Sequence, residues 1–244
     1  MKSLPKEIEW HISYRNDRSK KESDYIAKML TKLGKGKGSI LEVACGNGRL
    51  HPFLRKSGFR MFGLDNSSEL IGVARKKSRR SSKNYFLCDM RNFKIKKKFD
   101  VILSWFTSFG YFNDSTNLKI LINMRNHLAE GGLLLIDLPN KKSKLFKTRI
   151  YSQRCGKYLE RVSMSVEKSK GQTFWKLEEK FFLKQGMELK FIKKIRRKVR
   201  IYGSEEIRKL LSKAGFETLD IFRTGTFNKA RSNSRRLLVV ARPR

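Results

Sequence analysis

Cysteine is scarce in this sequence, and the arrangement of its few cysteines excludes two kinds of stabilisation. There are three, Cys45, Cys88 and Cys155, an odd number with wide spacing and no Cys-x-x-Cys pair. Disulfide frameworks use an even and denser set, and zinc sites use closely spaced pairs. We therefore expect reduced cysteines, no metal site and a cytoplasmic protein.

Long hydrophobic runs are also absent. The strongly apolar runs are short, with residues 133–136 ending at Asp137 and residues 237–241 at Arg242, whereas a helix that crosses a bilayer needs about 20 apolar residues. Residues 1–21 are too polar for a secretory signal, so we expect no membrane partner. A hydrophobic content of 39% in 244 residues still allows a substantial core, and we expect a single domain over 1–244.

Acidic residues are too few to balance the basic ones. The chain has 57 Lys and Arg against 22 Asp and Glu, a formal net charge of +35. The surplus is spread along the chain, with 27 basic and 13 acidic residues in 1–140 and 30 and 9 in 141–244. Two interpretations stay open: the charge attracts a polyanion such as RNA, or it fills solvated surfaces. The sequence does not define an oligomeric state.

Strand and helix patterns alternate through the first 140 residues. Apolar runs predict strands at 40–44, 59–65, 85–89, 99–105 and 133–139, and apolar residues at helical spacing predict helices at 22–33, 49–56, 68–77 and 116–128. The strands are continuously apolar, as expected for strands buried on both faces. The pattern predicts an α/β fold with a parallel sheet covered by helices on both sides.

After residue 140 the pattern changes to period-two alternation. Residues 157–168, 173–183 and 188–202 alternate in this way, which predicts an antiparallel β-meander inserted at 151–202. In the last stretch five apolar residues share one face: Leu189, Phe191, Ile195, Val199 and Ile201. Five basic residues share the other: Lys190, Lys194, Arg196, Lys198 and Arg200. A helix from Ser204 and strands at 216–222 and 236–242 follow.

Glycine and polar residues stand where the predicted parallel strands end. They are Gly46, Asn47 and Gly48 after the first strand, Asp65 after the second, Asp89 after the third, and Ser104 and Trp105 after the fourth. Ligands of open parallel sheets bind at this edge. The third glycine of the dinucleotide fingerprint is missing, and no Gly-x-x-x-x-Gly-Lys-Ser/Thr loop is present. A nucleoside without phosphate therefore fits best, with Asp65 suited to ribose hydroxyls.

These motifs resemble class I S-adenosylmethionine-dependent methyltransferases. ILEVACGNGRL (40–50) looks like motif I, FGLDNSSELIGVAR (62–75) like motif II, LCDMRNF (87–93) like motif III and FDVILSWFTSFGYF (99–112) like motif IV. The match runs in the right order from about residue 20 to the C-terminus. It implies a doubly wound, Rossmann-like sheet of seven strands with an antiparallel last strand, and S-adenosylmethionine as the cofactor.

The resemblance also implies a set of cofactor contacts. It places the backbone of Ala44, Cys45, Gly46, Asn47 and Gly48 along the methionine part with Glu42 beneath it, Asp65 at the ribose hydroxyls, Asn66 and Met90 at the adenine ring, Asp89 at the adenine amino group, and Ser104 and Trp105 near the sulfonium. Arg18 is a candidate partner for the ligand's carboxylate. On this view, Gly46 and Gly48 are glycines because a Cβ would collide with the ligand.

The methyl acceptor is less constrained. Strand four is followed by Ser-Trp-Phe-Thr, not by the Asn/Asp-Pro-Pro-Tyr of enzymes that methylate adenine or glutamine nitrogens. No Pro-Cys nucleophile of 5-methylcytosine enzymes is present. We expect transfer to N or O of a small molecule, with the meander as a lid over the acceptor and segment 1–21 covering the site. His11, Tyr14 and Tyr111 are candidate bases. The alternatives are an RNA methyltransferase that uses the basic face, and a non-catalytic module that binds the cofactor.

Overall fold

The computed structural model describes residues 6–143 and 148–244, with side chains from residue 18 onward except that of Cys155. Within these residues the helices are α1 (Lys6–Lys32), α2 (His51–Lys56), α3 (Ser68–Lys77), α4 (Asp114–Asn126) and α5 (Ser204–Lys213). The strands are β1 (Gly38–Val43), β2 (Phe59–Asp65), β3 (Tyr85–Leu87), β4 (Phe99–Ser104), β5 (Leu128–Pro139), β6 (Arg149–Cys155), β7 (Tyr158–Ser169), β8 (Gln172–Gln185), β9 (Glu188–Ile201), β10 (Phe216–Arg223) and β11 (Arg236–Pro243). No helix in this part of the chain is long and apolar enough to cross a membrane.

Seven strands form one large sheet in the order β10-β11-β5-β4-β1-β2-β3. Its neighbouring strands are parallel, except that β11 is antiparallel to both β5 and β10. Ile26 of α1 packs with Ile40 on one face, and Ile120 of α4 packs with Leu41 on the other. The predicted doubly wound α/β fold with an antiparallel last strand is confirmed.

Local signals located some elements better than others. The bounds of β2 and α3 are those predicted, and the Ser67 hydroxyl accepts a hydrogen bond from the Leu70 N–H at 3.2 Å as the cap of α3. Helix α1, by contrast, begins at Lys6 and not at residue 22. Residues 15–21 are wholly polar, so the apolar pattern of this helix is interrupted there and gave no signal that the helix extends toward Lys6.

The inserted meander is a second, four-stranded antiparallel sheet in the order β6-β7-β8-β9. Strand β6 was not predicted. The registers place Trp175 opposite Val199 and Leu177 opposite Arg197, on a face turned toward the large sheet that we call the inner face. The opposite side, called the outer face, carries Lys194, Arg196 and Lys198, all exposed as predicted.

A bulge in β9 corrects the predicted distribution of side chains. Phe181 pairs with Lys193 but Phe182 pairs with Phe191, so Ile192 is an extra residue. Because side chains alternate with period two, one extra residue exchanges the faces of everything beyond it. Phe191 and its neighbours at 189 and 190 therefore lie on the sides opposite to those predicted.

Arg200 is the second correction, since this predicted surface residue is buried, with 4% of its side chain exposed. Its Nε lies 3.2 Å from Asp114 Oδ1, and its Nη2 lies 2.9 Å from Glu206 Oε1. Its backbone N–H donates to the carbonyl of Gly110 at 2.7 Å. The end of β9 passes beside α4 and α5, so a side chain that points to the outer face at this position contacts these helices and is buried. We call Arg200, Asp114 and Glu206 the Arg200 latch.

The Arg200 latch should contribute measurably to stability. Removing one member of a fully buried ion pair costs about 3–5 kcal/mol. We expect about 2–3 kcal/mol for Arg200→Met, because Asp114 and Glu206 keep 35% and 28% side-chain exposure and are partly solvated. Arg196→Met, on the same strand at 72% exposure, should stay within about 0.5 kcal/mol. Urea denaturation of both variants measures this difference, and equal losses would contradict the latch.

Candidate active site

The loop after β1 lies where the strand order reverses, between β1 and β4. Three of its residues have positive φ: Ala44 at 58°, Gly46 at 55° and Gly48 at 65°. For alanine this left-handed conformation is strained. The Gly48 N–H closes the turn onto the Cys45 carbonyl at 3.0 Å. The result is a tight backbone loop, as expected for a site that a ligand approaches closely.

The two glycines of this loop have different reasons to be glycine. A Cβ on Gly46 would have only Leu70 Cδ1 nearby, at 3.8 Å, so the protein leaves space there. A Cβ on Gly48 would lie 2.9 Å from the Tyr85 ring. We expected a Cβ at either glycine to collide with the ligand. For Gly48 this expectation is corrected, because a Cβ there would already collide with the Tyr85 ring.

Asp65 holds the loop from the end of β2. It is 8% exposed, and its Oδ2 accepts the Gly46 N–H at 2.8 Å while Oδ1 accepts the Ser67 N–H at 2.9 Å. Each oxygen keeps a further lone pair for a hydroxyl donor. The carboxylate thus positions the loop and can still accept hydrogen bonds from a ligand.

A small cavity of about 30 Å³ opens at this edge of the sheet. Its lining contains five of the predicted cofactor residues: Ala44, Asp65, Asn66, Asp89 and Met90. The volume holds about one or two water molecules, so a nucleoside base needs the rim to move. Arg91 is at that rim, with its guanidinium 5.0 Å from the Phe112 ring centroid.

The Asp89 carboxylate already forms an ion pair with Arg91. Arg91 Nε and Nη2 donate to its two oxygens at 3.0 and 2.7 Å, and this bonding lowers the pKa of Asp89 below its ordinary value. An adenine amino group would have to displace or share Arg91. Sequence reasoning did not foresee this partner, although it lies only two residues away.

A buried hydrogen-bonded chain supports the loop from beneath. Glu42 Oε2 lies 2.9 Å from His51 Nε2, and His51 Nδ1 lies 2.9 Å from the Tyr85 hydroxyl. Arg55 donates to the same hydroxyl at 3.0 Å, and burial raises the pKa of Tyr85. The chain fixes Glu42, and the ring of Tyr85 also limits the position of Gly48. The sequence offered no signal for Tyr85.

A second cavity of about 790 Å³ lies between the two sheets. Aromatic residues on its walls include Tyr25, Trp105, Phe106, Tyr111, Tyr151 and Trp175. Charged residues there include Arg18, Lys21, Glu22, Asp137, Arg149, Glu160, Glu179, Arg197, Arg235 and Arg236. The structure thus brings the predicted residues Arg18, Trp105 and Tyr111 to one cavity. The side chains of His11 and Tyr14 lie outside the described residues.

The carboxylates on the cavity walls have basic or amide partners. Asp137 Oδ2 lies 2.6 Å from Arg236 Nη2, and Glu179 Oε2 lies 3.0 Å from Arg197 Nη1. Glu22 accepts from both Arg49 and the Trp105 indole, the latter at 3.0 Å, and Glu160 accepts from Gln153. Burial raises the pKa of Tyr25 to about 12, so this phenol stays protonated.

Asp137 and Arg236 shape the cavity and were missed in the sequence. The turn after β4 is strained, with φ of 56° at Phe106 and 67° at Thr107. Asp137 Oδ2 accepts the Phe106 N–H at 3.0 Å, and Arg236 donates to the Thr107 hydroxyl at 2.8 Å. A signal was present, because Asp137 directly follows the apolar run 133–136 near the end of β5.

Ser104 ends β4 between these two loops. Its side chain is buried, and its hydroxyl makes no hydrogen bond to any residue that the structure describes. A buried hydroxyl normally has a partner. This hydroxyl, the open space before Gly46 and the remaining lone pairs of Asp65 fit a polar nucleoside ligand at this edge.

A comparison with protein families decides the class. The sequence model of a family described as a methyltransferase domain matches residues 14–221 of this chain. The chain belongs to the S-adenosylmethionine-dependent methyltransferases. The predicted family, enzyme class and cofactor are thereby confirmed.

Curated relatives and solved structures agree with this class. Over 150 residues the chain is 29% identical to dTDP-3-amino-3,4,6-trideoxy-alpha-D-glucopyranose N,N-dimethyltransferase of Streptomyces venezuelae, covering 59% of this chain and 62% of that relative. A dTDP-3-amino-3,6-dideoxy-alpha-D-glucopyranose N,N-dimethyltransferase of Streptomyces fradiae is 23% identical over 118 residues, 48% of this chain and 46% of the relative. The chain thus spans about half to three fifths of the length of these relatives.

Two solved structures share the fold over nearly the whole chain. An S-adenosylmethionine-dependent methyltransferase from Clostridium acetobutylicum has a TM-score of 0.81 at 23% identity and covers 96% of both chains. DesVI of Streptomyces venezuelae has a TM-score of 0.75 at 19% identity and covers 96% of this chain and 95% of its own. At these identities the likeness shows the fold.

In this methyltransferase the cysteine of the loop is protected from reaction. Burial raises the pKa of Cys45 well above its ordinary value, and the nearby charges of Glu42 and Asp65 act in the same direction. The thiol therefore stays protonated at neutral pH. Since the thiolate is the nucleophile, Cys45 does not compete with the acceptor for a methyl group.

The two loop glycines can be distinguished by alanine substitution. Gly46→Ala should cost about 1–2 kcal/mol of stability, from its positive φ alone, and should weaken S-adenosylmethionine binding at least tenfold. Gly48→Ala should cost about 1–3 kcal/mol more, because its Cβ overlaps the Tyr85 ring. Gly72→Ala in α3, where nothing lies within 4 Å of the added Cβ, is the control and should leave binding unchanged. Calorimetric titration and urea denaturation measure both quantities; unchanged cofactor affinity in Gly46→Ala would contradict the site.

Proposed function

We propose that this methyltransferase methylates an amine nitrogen of a small-molecule acceptor held in the cavity between its two sheets. The observation that supports this most is the cavity itself, whose volume of about 790 Å³ falls within the ~300–1,000 Å³ of small-molecule sites. The second sheet acts as its lid through the inner face, and α1 closes a further side with Arg18, Lys21 and Glu22.

The cofactor occupies the edge of the large sheet in this proposal. When bound it supplies an electrophilic methyl group on a sulfonium. Asp65 holds the ribose, Asn66 and Met90 lie beside the adenine ring, and Asp89 meets the adenine amino group after Arg91 moves. The methionine part follows the backbone of 44–48, with Glu42 beneath Cys45 and Asn47, and Ser104 and Trp105 lie at the boundary with the acceptor cavity. Arg18 receives the ligand's carboxylate.

The electrostatics of the cavity favour nitrogen over oxygen as the acceptor atom. A hydroxyl needs a base to remove its proton as it attacks, whereas an unprotonated amine attacks with its lone pair and gives up a proton only afterwards. The cavity carboxylates Asp137, Glu179 and Glu22 are paired with arginines, so the groups that could take a proton from a hydroxyl already have cationic partners. The acceptor nitrogen bonds the methyl carbon as the carbon–sulfur bond breaks, and its proton leaves to water. The phenol of Tyr111, at the cavity wall, is the group we assign to orient the amine.

The remaining charges suggest what else the acceptor carries. Arg149 and Arg235 add positive charge to the cavity, and guanidinium groups suit phosphates. Two of the curated relatives are, by their names, N,N-dimethyltransferases of dTDP-linked amino sugars. An acceptor with an amine and a phosphate, such as a nucleotide-linked amino sugar, therefore fits this cavity, and a cytoplasmic location suits such a substrate.

Labelled S-adenosylmethionine tests the acceptor class. The enzyme is incubated with nucleotide-linked amino sugars, the free amino sugars, their hydroxyl analogues and total RNA. We expect label in an amine-bearing small molecule, one or two added methyl groups by mass spectrometry, and none in the hydroxyl analogue. Tyr111→Phe should lower turnover more than cofactor affinity. Label in RNA alone, or in the hydroxyl analogue alone, would overturn the proposal.

Cofactor binding should raise thermal stability. A ligand at 100 times its dissociation constant adds ~2.7 kcal/mol, which corresponds to roughly 5–11 °C in Tm for a chain of this size. Asp65→Ala should reduce the shift produced by S-adenosylhomocysteine, because it removes hydrogen bonds of about 1.5–3 kcal/mol each to a charged acceptor. Asp24→Ala, exposed on α1, is the matched control. A full shift in Asp65→Ala would mean that this carboxylate only caps its loop.

A further inference from the structure

The outer face of the second sheet combines cations with aromatic rings. Its basic residues include Arg161, Lys176, Lys180, Lys194, Arg196 and Lys198, and its rings are Phe174, Phe182 and Phe191. Two carboxylates, Glu167 and Glu178, lie among them. None of these residues lines the acceptor cavity, which is on the other side of the same strands.

The cross-strand pairs on this face are electrostatically unfavourable. Lys180 lies directly opposite Lys194, and Lys176 lies directly opposite Lys198. Like charges in such positions destabilise a sheet. Glu167 bridges Lys176 and Lys198, and Glu178 pairs with Lys180 and Arg196 and also interacts with the charge of Lys194, so two carboxylates are shared among a larger number of cations. An anion on this face would relieve the repulsion, so the arrangement favours a polyanionic ligand over bare solvent.

The rings on this face are available for contact. Phe191 is 55% exposed, and its ring centroid lies 5.8 Å from that of Phe182 in an edge-to-face arrangement. Lys198 Nζ lies 4.3 Å from the Phe174 ring centroid, and the Arg161 guanidinium lies 5.5 Å from that of Phe182. From Phe174 to Phe182 the strand extends about 26 Å at ~3.3 Å per residue, which is room for several nucleotides. Proteins that bind single strands use this combination, in which bases stack on rings and cations contact phosphates.

We propose that the outer face binds single-stranded RNA. The occupant is a single strand because a duplex hides its bases from the rings, and RNA because its unpaired loops and ends present bases for stacking. The RNA is a docking partner and not the methyl acceptor, since the alternation of β8 and β9 directs Trp175 and Val199 into the acceptor cavity and the lysines away from it. The proposal is independent of the acceptor's identity.

Charge variants separate this face from the general surplus of +35. The outer-face variant is Lys194→Gln/Arg196→Gln/Lys198→Gln. The control is Lys56→Gln/Lys96→Gln/Lys209→Gln, three exposed lysines of the large-sheet region with the same change in charge. Fluorescence anisotropy with a labelled, unstructured 16-nucleotide RNA is measured from about 50 to 200 mM salt. The outer-face variant should bind at least tenfold more weakly and lose about 2 from its log–log salt slope. The control should change less than twofold; equal weakening in both would overturn the proposal.

A variant that lacks two aromatic rings of the outer face distinguishes the contribution of base stacking to RNA binding from that of charge. Phe182→Leu/Phe191→Leu keeps the net charge and should weaken RNA binding about tenfold, since stacking contributes ~1–3 kcal/mol per base, without changing the salt slope. Thermal melting confirms the fold, and methylation of the small acceptor should stay unchanged. Competition with heparin, single-stranded DNA of the same sequence and phosphatidylserine vesicles defines the partner. Unaltered RNA binding in the ring variant, or tighter binding of any of these competitors, would overturn the commitment to RNA.

Discussion

Two buried carboxylates hold the loops on which both cavities depend. Asp65, the last residue of β2, accepts the Gly46 N–H of the loop after β1, and Asp137, two residues before the end of β5, accepts the Phe106 N–H of the loop after β4. These loops flank the point where the strand order reverses, and each contains residues with positive φ. Such conformations cost of order 1–3 kcal/mol each, and hydrogen bonds to a charged acceptor contribute about 1.5–3 kcal/mol. Each strained loop is therefore stabilised by a carboxylate from the neighbouring strand, Asp65 of β2 for the loop after β1 and Asp137 of β5 for the loop after β4.

The second sheet is connected to this arrangement through the loop after β4. Its Gly110 carbonyl accepts the Arg200 N–H, and the Arg200 side chain reaches Asp114 at the start of α4. A Cβ on Gly110 would lie 2.5 Å from the Arg200 carbonyl oxygen, so the two segments are in close contact. The loop is thus attached to β5 at one end and to β9 at the other. The cavity between the two sheets therefore has walls that are joined through the hydrogen bond between the Arg200 N–H and the Gly110 carbonyl.

The parts of this structure that the sequence predicted well are those with local signals. Strand β2 ends at an acid and α3 begins at a serine cap, so the boundary residues alone located both elements. The strand-end residues Ala44, Asp65 and Asp89 also lie together at one edge of the sheet, as expected. The predictions failed where a distant contact decides the outcome. Arg200 belongs by alternation to the outer face but is buried beside two helices. The Asp89 carboxylate, expected to be open to a ligand, is hydrogen-bonded by Arg91. Gly48 faces Tyr85, which is 37 residues away in the sequence and comes from the far side of β2.

The bulge at Ile192 shows how one strand can serve two surfaces. Period-two alternation lets β9 place Val199 and Arg197 in the acceptor cavity while Lys198 and Arg196 face outward. Beyond the bulge the parity reverses, which places Phe191 beside Phe182 on the outer face, where an uninterrupted strand would direct it inward. The extra residue thus extends the aromatic surface of the outer face without altering the residues nearer the cavity. Since the two faces are separated by the thickness of a single sheet, contacts on the outer face do not involve the side chains that line the cavity on the inner face.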